Sequence, residues 1–301
     1  MSPNLNFSAT MESPELVVDC DCETGENPLW HPMEKRLYWT DIPRGRLFRY
    51  DPASGLQEQC YQGRPVGGFT VQADGALVLF MDRGTIGLWR NGDLTVAIEE
   101  IAAERLSRFN DVIADPRGRV FCGTMSTDHS KGRLYRLDLD GTLRLLLEGI
   151  GCSNGMAFTP DRRGFYYTDS FAREIYLFDY EAGDGTISNR RIFARFRDSE
   201  GLPDGITVDA EGFVWCAMWD GHCILRLSGD GALVGKIMLP VPKASSLTFA
   251  GEDYSEIYIT TAGGNVREQD GRVAGSLFRA RPGIRGVPEF FSRIQFPGSS
   301  A

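Results

Sequence analysis

The amino-acid sequence predicts an all-β fold, a six-bladed β-propeller with four antiparallel strands in each blade. Two observations predict it: a segment of polar and then apolar residues recurs six times, and no long stretch has a helical period. The 35 glycines among 301 residues favour the same fold, because a chain that turns often needs residues that enter turns at no steric cost.

The repeated segment opens with a polar residue, runs through alternating apolar positions and reaches a turn six residues later. Four clear copies and then two weaker copies begin at Glu26, Asn110, Asn154, Asp204, Gly68 and Ser246. An alternating pattern of this length is typical of a half-buried strand. We expect it to form the innermost strand of each blade.

Three further strands are predicted to complete each unit. The second strands are rich in β-branched and aromatic residues and occupy 37–41, 76–80, 120–124, 165–169, 214–218 and 257–261. A β-sandwich, or two β-domains with chance similarity, is the alternative fold. A protein-binding propeller of the WD40 type is disfavoured, because no Gly-His…Trp-Asp signature recurs.

The predicted domain organisation is a flexible N-terminal tail, residues 1–14, followed by a single propeller domain, residues 15–297. The run of residues 15–19 is apolar enough for a strand and lies before the first repeat. We expect it to complete the last blade and so to close the ring. The polar residues 298–301 are expected to fray.

Composition argues against several classes of partner. The net charge of −9 and the absence of a Lys/Arg block disfavour nucleic acid and anionic membranes as partners. No run of 18 apolar residues and no apolar leader is present, so we expect no membrane span and a cytoplasmic location. The seven cysteines match no known zinc spacing, and we expect reduced thiols.

The opening residues of the six segments are predicted to form a ring at one mouth of the central channel. In order they are Glu26, Gly68, Asn110, Asn154, Asp204 and Ser246. Two carboxylates that converge on one axis repel each other unless one is protonated or a cation lies between them. Carboxylate and amide oxygens suit hard divalent cations, so a metal site in the channel is predicted. The alternative is that these residues cap strand ends and bind channel water.

Several motifs in one order give the chain a resemblance to the SMP-30/gluconolactonase/LRE family. They are Gly25-Glu-Asn-Pro28, Arg108-Phe-Asn-Asp111, Gly123-Thr-Met125, Ser153-Asn-Gly155, Ile187-Ser-Asn-Arg-Arg191 and Pro203-Asp-Gly205. The resemblance extends from about Cys20 to about Phe291. It implies hydrolysis of lactones of sugar acids, with a divalent cation held by Glu26, Asn154 and Asp204. It also implies that Arg108 and Asn110 contact the substrate.

Two positions depart from the pattern of that family. Asn27 stands where Gly or Ser is more usual, and Asp128 stands where regucalcin-like members carry a Glu that contacts substrate. Asp128 is therefore a candidate substrate contact with a side chain shorter by one methylene. A catalytic pair of histidines, His129 and His222, is a further alternative, disfavoured because no His opens a repeat.

The predicted function is that of a metal-dependent sugar-lactone hydrolase, either a monomer or a weak homodimer. The cation, one of Ca²⁺, Mg²⁺, Mn²⁺, Zn²⁺ or Fe²⁺, would polarise the lactone carbonyl. The attacking water would be bound by the metal or activated by Asp204 as the catalytic base. The alternatives are a promiscuous esterase or organophosphate hydrolase on the same scaffold, and a calcium-binding regulatory protein.

Overall fold

The chain forms six four-stranded antiparallel sheets, as seen in a computed structural model that describes residues 11, 13–263 and 266–296. Helical structure in these residues is limited to α1 (Arg267–Asp270) and two 3₁₀ turns, Ala102–Glu104 and Asp198–Glu200. The predicted all-β, six-bladed β-propeller is therefore confirmed.

Twenty-four strands make up the six blades. In chain order they are β1 (Glu15–Val18), β2 (Gly25–His31), β3 (Arg36–Asp41), β4 (Arg46–Asp51), β5 (Leu56–Gln62), β6 (Val66–Val71), β7 (Leu77–Met81), β8 (Ile86–Arg90), β9 (Asp93–Ile98), β10 (Phe109–Ala114), β11 (Val120–Thr124), β12 (Gly132–Leu137), β13 (Leu143–Ile150), β14 (Ser153–Phe158), β15 (Gly164–Asp169), β16 (Glu174–Glu181), β17 (Thr186–Arg195), β18 (Leu202–Val208), β19 (Val214–Trp219), β20 (Cys223–Leu227), β21 (Leu233–Met238), β22 (Ala244–Ala250), β23 (Glu256–Thr261) and β24 (Leu277–Ala280). The first five blades take four consecutive strands each, from β2 to β21.

The sixth blade combines the two ends of the described chain. Its order is β1-β24-β23-β22, so the N-terminal strand is the outermost strand of the last blade. Glu15 pairs with Arg279 and Leu16 with Phe278. This pairing joins the N-terminal strand to the last blade and so closes the ring, as the sequence predicted. The predicted tail 1–14 lies outside the described residues, apart from residues 11, 13 and 14, as do residues 297–301.

The core lies between neighbouring blades. The inner strands are almost wholly buried, whereas outer strands such as β5 and β9 are largely exposed. Aromatic side chains fill the space between blades: the ring centroids of Phe80 and Phe109 lie 5.3 Å apart, at 88° to each other. Edge-to-face contacts of this kind add to the stabilisation that burial alone provides.

Each inner strand contains a one-residue irregularity near its start, at the mouth of the channel. From Phe109 to Val112 the inner strand advances three residues, while the partner strand advances two, from Thr124 to Cys122. Comparable shifts occur in the other five inner strands. A bulge re-aims the side chains beside it, and bulges are frequent next to active sites.

The register corrects two members of the predicted ring. The paired residues near the end of each inner strand give a common reference point for comparing blades. In the first blade Trp30 pairs with Leu37 of the second strand, and in the second blade Val71 pairs with Leu77. Four residues before these positions lie Glu26 and Gly67, so Gly67 is the counterpart of Glu26, and not Gly68. By the same count Ser245 replaces Ser246. The prediction is one residue late in these two blades, because there the register shift falls at the ring position itself, between Val66 and Gly68 and between Ala244 and Ser246.

A C-terminal segment, residues 285–296, crosses the face of the propeller opposite the mouth. It forms isolated bridges that pair Ser292 with Gln72 and Gly286 with Asp209. The N–H of Arg293 also donates to the carbonyl of Gly118. The sequence pattern placed no structure here, because the segment has no regular period. Within the described residues no helix is both long and apolar enough to span a bilayer.

Candidate active site

Four polar side chains occupy equivalent positions on four inner strands. They belong to Glu26, Asn110, Asn154 and Asp204, and none is more than 7% exposed. The sequence predicted all four from the spacing of the repeat. Because each lies within the bulged start of its strand, the four gather at the same mouth of the channel.

Glycine after two of these residues is required by the close approach of the inner strands. A Cβ on Gly155 would lie 2.4 Å from the backbone nitrogen of Ile206, and one on Gly205 would lie 2.2 Å from Ser246 Oγ. Only a residue without a side chain fits such a gap. The Asn154-Gly155 and Asp204-Gly205 motifs therefore bring neighbouring inner strands close together.

The two ring carboxylates lie close enough to influence each other. Burial raises the pKa of Glu26 to about 8, and the neighbouring charge of Asp111 adds to this rise. Burial also raises the pKa of Asp204 well above its usual value, followed in effect by the charges of Glu26 and Asp111. A buried carboxylate near a second negative charge is stabilised by a proton or by a cation.

Arg108 is the positive group at this site, and it engages Asn110. Its Nη1 donates to Asn110 Oδ1 at 2.6 Å and to the carbonyl oxygen of Phe109 at 2.9 Å. Asn110 Nδ2 in turn donates to the carbonyl oxygen of Ser153 at 2.8 Å. Both ends of the Asn110 amide therefore have partners within the protein. The predicted substrate-contacting pair is brought together, and Asn110 is adjacent to the strand that carries Asn154.

The oxygens of Asn154 and Asp204 are in a different situation. Asn154 Oδ1 and Asp204 Oδ1 are both buried and have no hydrogen-bond partner among the described residues. The Asn154 side chain does hydrogen-bond the Asp204 carboxyl group, which lowers the pKa of Asp204 and so opposes part of the effect of burial. Buried polar atoms without a partner cost roughly 1–3 kcal/mol each, and such atoms call for an explanation such as an ion or a water. They lie beside Glu26, whose Oε2 accepts the N–H of Asn27 at 2.9 Å.

These donors fit a hard divalent cation. Two carboxylates and one amide oxygen are the ligand types that Ca²⁺, Mg²⁺ and Mn²⁺ prefer, and the cation would offset the two negative charges. In the described part of the chain no three His, Cys, Asp or Glu side chains are grouped to hold a metal. A cation at the mouth would therefore need the Asn154 amide as well as the acids.

Two acids in the channel were given no role by sequence reasoning. Asp111 follows Asn110 directly, and burial raises its pKa to about 7. Glu289, on the C-terminal segment, has a pKa raised to about 7 by burial and then by the charge of Asp111. Both line a cavity of about 40 Å³ between the mouth and the opposite face. The repeat could have identified Asp111, because this residue directly follows a ring residue. Glu289 lies outside the repeat, so the repeat gives no signal for it.

The remaining candidate residues lie in loops on the mouth side. Asp128 is exposed in the connection between β11 and β12, and no side-chain contact places it beside the ring. Its contact with substrate stays a prediction. His129 and His222 are also exposed and lie outside the inner strands.

Comparison with known proteins identifies the family of the chain. The family model described as "SMP-30/Gluconolactonase/LRE-like region" matches residues 24–263, which include all four ring residues. The chain belongs to the SMP-30/gluconolactonase/LRE family.

Two relatives within this family cover almost the full chain. Pentonolactonase XacC of Haloferax volcanii is 45% identical over 93% of this chain and 98% of its own length. The 6-deoxy-6-sulfogluconolactonase of Pseudomonas putida is 34% identical over 92% of this chain and 98% of its own length.

The solved structure of a luciferin-regenerating enzyme has the same architecture. It superposes with a TM-score of 0.86 at 26% identity, covering 94% of this chain and 100% of the other. The similarity therefore extends over nearly the whole chain.

Proposed function

We propose that this protein is a lactonase that opens the ring of a sugar-acid lactone with one divalent cation at the mouth of its propeller. The observation that carries the proposal is the buried pair of partnerless oxygens, Asn154 Oδ1 and Asp204 Oδ1, beside Glu26. Membership of a family whose relatives include a pentonolactonase and a sulfogluconolactonase supports the reaction class.

Glu26, Asn154 and Asp204 would hold the cation, which we expect to be one of Ca²⁺, Mg²⁺, Mn²⁺, Zn²⁺ or Fe²⁺. A cation at this place supplies Lewis-acid polarisation of the lactone carbonyl oxygen. With only three protein ligands, the site leaves room for substrate, as catalytic sites require. The positive charge of a bound cation would also favour the deprotonated forms of the two carboxylates.

Asp204 is the proposed general base. It would accept a proton from the attacking water while the water oxygen bonds to the lactone carbonyl carbon. The bond between that carbon and the ring oxygen then breaks, and the proton passes from Asp204 to the departing ring oxygen. One carboxylic acid and one hydroxyl result, and the acid then releases the second proton of the water to give the carboxylate.

Arg108 and Asn110 are the proposed substrate contacts. Arg108 is only partly exposed, and burial lowers its pKa while the charges of Cys152, Glu26 and Asp204 counteract this effect. A guanidinium has several N–H donors in a fixed plane, so it can bind sugar hydroxyls and the developing carboxylate together with the carbonyl of Phe109. Asn110, held by Arg108, would help to fix the orientation of that group.

A lactone panel on metal-stripped protein tests this proposal. Gluconolactone, galactonolactone, xylonolactone and arabinonolactone are assayed by acid release with each cation restored in turn. We expect turnover of at least one lactone, lost on stripping and regained on adding a cation. Turnover that survives complete stripping would refute the cation, and turnover only of a phosphotriester or a simple aryl ester would refute the substrate class. Tight calcium binding without any turnover would indicate a binding protein.

A further inference from the structure

Ser170 connects two strands that carry proposed cation ligands. It is the first residue after β15 and is 3% exposed. Its hydroxyl donates to the carbonyl oxygen of Pro203, at 2.6 Å, and accepts from Asn154 Nδ2, at 3.1 Å. Pro203 immediately precedes Asp204 in the chain, so the hydroxyl links the Asn154 side chain to the Asp204 backbone.

The direction of these hydrogen bonds follows from donor counting. A serine hydroxyl has one hydrogen, and the carbonyl of Pro203 can only accept. The hydrogen of Ser170 is therefore used, and the hydroxyl can only accept from Asn154. Asn154 must turn its NH₂ group toward Ser170, which leaves the buried Oδ1, with no partner among the described residues, as the amide atom available to a cation.

We propose that Ser170 is a positioning residue that sets the Asn154 amide so that its oxygen, and not its NH₂ group, faces the cation. This inference rests on the proposed cation site. Without the hydroxyl, the amide can rotate by 180° about its terminal bond and place its NH₂ group where Oδ1 now lies, and the N–H donors would repel a cation there. Hydrogen-bonding partners behind a ligand commonly change metal affinity by about 10- to 100-fold.

The position is distinctive within the repeat. The residues at the same register in the other five blades are Ile42, Asp82, Met125, Trp219 and Ala262. A hydroxyl occurs only in the fourth blade, which carries Asn154. Its backbone is also fixed, because the N–H of Ser170 donates to the carbonyl of Cys152 at 3.1 Å.

Calorimetric titration of metal-stripped protein with Ca²⁺ and with Mn²⁺ tests the inference. We expect Ser170→Ala to weaken binding of at least one cation about 10- to 100-fold. Ser170→Thr, which keeps the hydroxyl, should retain most of the affinity. At saturating cation, Ser170→Ala should regain much of its lactonase rate, because the ligand is misplaced and not removed.

Ser292→Ala is the matched control. Ser292 is also fully buried, accepts from Thr70 Oγ1 at 2.9 Å and donates to the carbonyl of Val71 at 3.2 Å, on the face opposite the mouth. The Ser292→Ala substitution should lower the melting temperature about as much as Ser170→Ala does, and it should leave the cation affinity unchanged. Equal affinity in wild type, Ser170→Ala and Ser292→Ala would overturn the inference.

Two further outcomes are decisive. If Ser170→Ala does not fold, Ser170→Cys replaces it, because a thiol is only a weak donor. Wild-type affinity in that variant would equally overturn the role of Ser170. A wild-type protein that binds no cation would refute the proposed cation site itself, whereas wild-type binding that Ser170 variants leave unchanged would refute only the positioning role.

Discussion

Arg108 Nη1 donates to Asn110 Oδ1 at 2.6 Å, and this bond separates the roles of two asparagines that the sequence places at equivalent positions. Asn110 has its oxygen engaged, whereas the oxygen of Asn154 has no partner. The same residue type at the same place in two blades is therefore prepared for different tasks. Under the proposed function, we expect Asn110 to serve the substrate and Asn154 to serve the cation.

Arg108→Lys should separate substrate binding from cation binding. Lysine keeps a positive charge but loses the planar set of donors that reaches Asn110 and Phe109 together. We expect kcat/KM to fall about 10-fold or more, the effect of losing a charge-assisted hydrogen bond. Cation affinity, measured by calorimetry, should stay within about 3-fold of wild type. An unchanged KM and kcat would show that Arg108 does not contact substrate.

Asp204→Asn should lose activity without losing the fold. Removing a general base commonly costs about 10²- to 10⁴-fold in rate, and here a cation ligand changes too. The metal-free variant should melt no lower than wild type, because it no longer buries a carboxylate near Glu26. Steady-state kinetics and thermal melts measure both effects. Asp230→Asn, in the exposed turn between β20 and β21 on the other face of the same blade, is the control and should keep wild-type turnover. Wild-type turnover in Asp204→Asn would contradict the mechanism.

The metal-free protein should lose stability as pH rises through the titration of Glu26. The pKa of Glu26 is raised from 4.5 to about 8, so the folded state holds a proton over this range that the unfolded state releases. Its contribution to stability is complete below pH 4.5 and is lost by about pH 8. Urea unfolding of wild type and Glu26→Gln across this range measures the difference. We expect the free energy of unfolding of Glu26→Gln to increase relative to that of wild type as pH rises. If the two proteins show the same dependence of this free energy on pH, the pKa of Glu26 is not raised in the folded state.

Glu289→Gln should stabilise the protein at alkaline pH. The pKa of Glu289 is raised to about 7 by burial and by Asp111, so above that pH an uncompensated charge lies in the channel. The neutral amide of Glu289→Gln removes this cost. The free energy of unfolding of the variant relative to wild type should therefore increase from about pH 4.5 to about pH 7 and then stay constant. Glu268→Gln, at an exposed position of α1, is the control and should show no such gain. A loss of stability in Glu289→Gln at pH 8.5 would mean that the carboxylate has a favourable partner.

Gly205→Ala should damage both the fold and the mouth. The added Cβ would lie 2.2 Å from Ser246 Oγ and 2.7 Å from Ser246 Cα, so β18 and β22 must separate. Overpacking of this kind costs about 1–3 kcal/mol, and the displacement includes Asp204. Urea unfolding should show the destabilisation, and calorimetry a weaker cation affinity. Gly229→Ala, where a Cβ meets nothing within 4 Å, should be neutral. Equal behaviour of the two variants would show that the strands adjust without cost.

The repeat made most of the fold and part of the site predictable. Six similar segments imply six similar sheets, and equivalent positions such as Glu26 and Asp204 must then meet near one axis. The residues that were misplaced, Gly68 and Ser246, lie in the two weakest copies. In these copies the extra residue of the bulge coincides with the ring position. A pattern of alternating apolar residues does not reveal where along the strand such an extra residue lies.

Local periodicity repeated along the chain was enough to predict the propeller, its closure by β1 and the four polar residues at the mouth. Which amide oxygen is free depends on contacts that this periodicity does not contain: Ser170 accepts from Asn154 because its own hydrogen goes to Pro203 in the next blade, and Arg108 donates to Asn110. The tertiary structure also decided that Glu289 enters the channel beside Asp111. Hydrogen-bond direction and burial depend on groups far apart in sequence, and no local pattern records them.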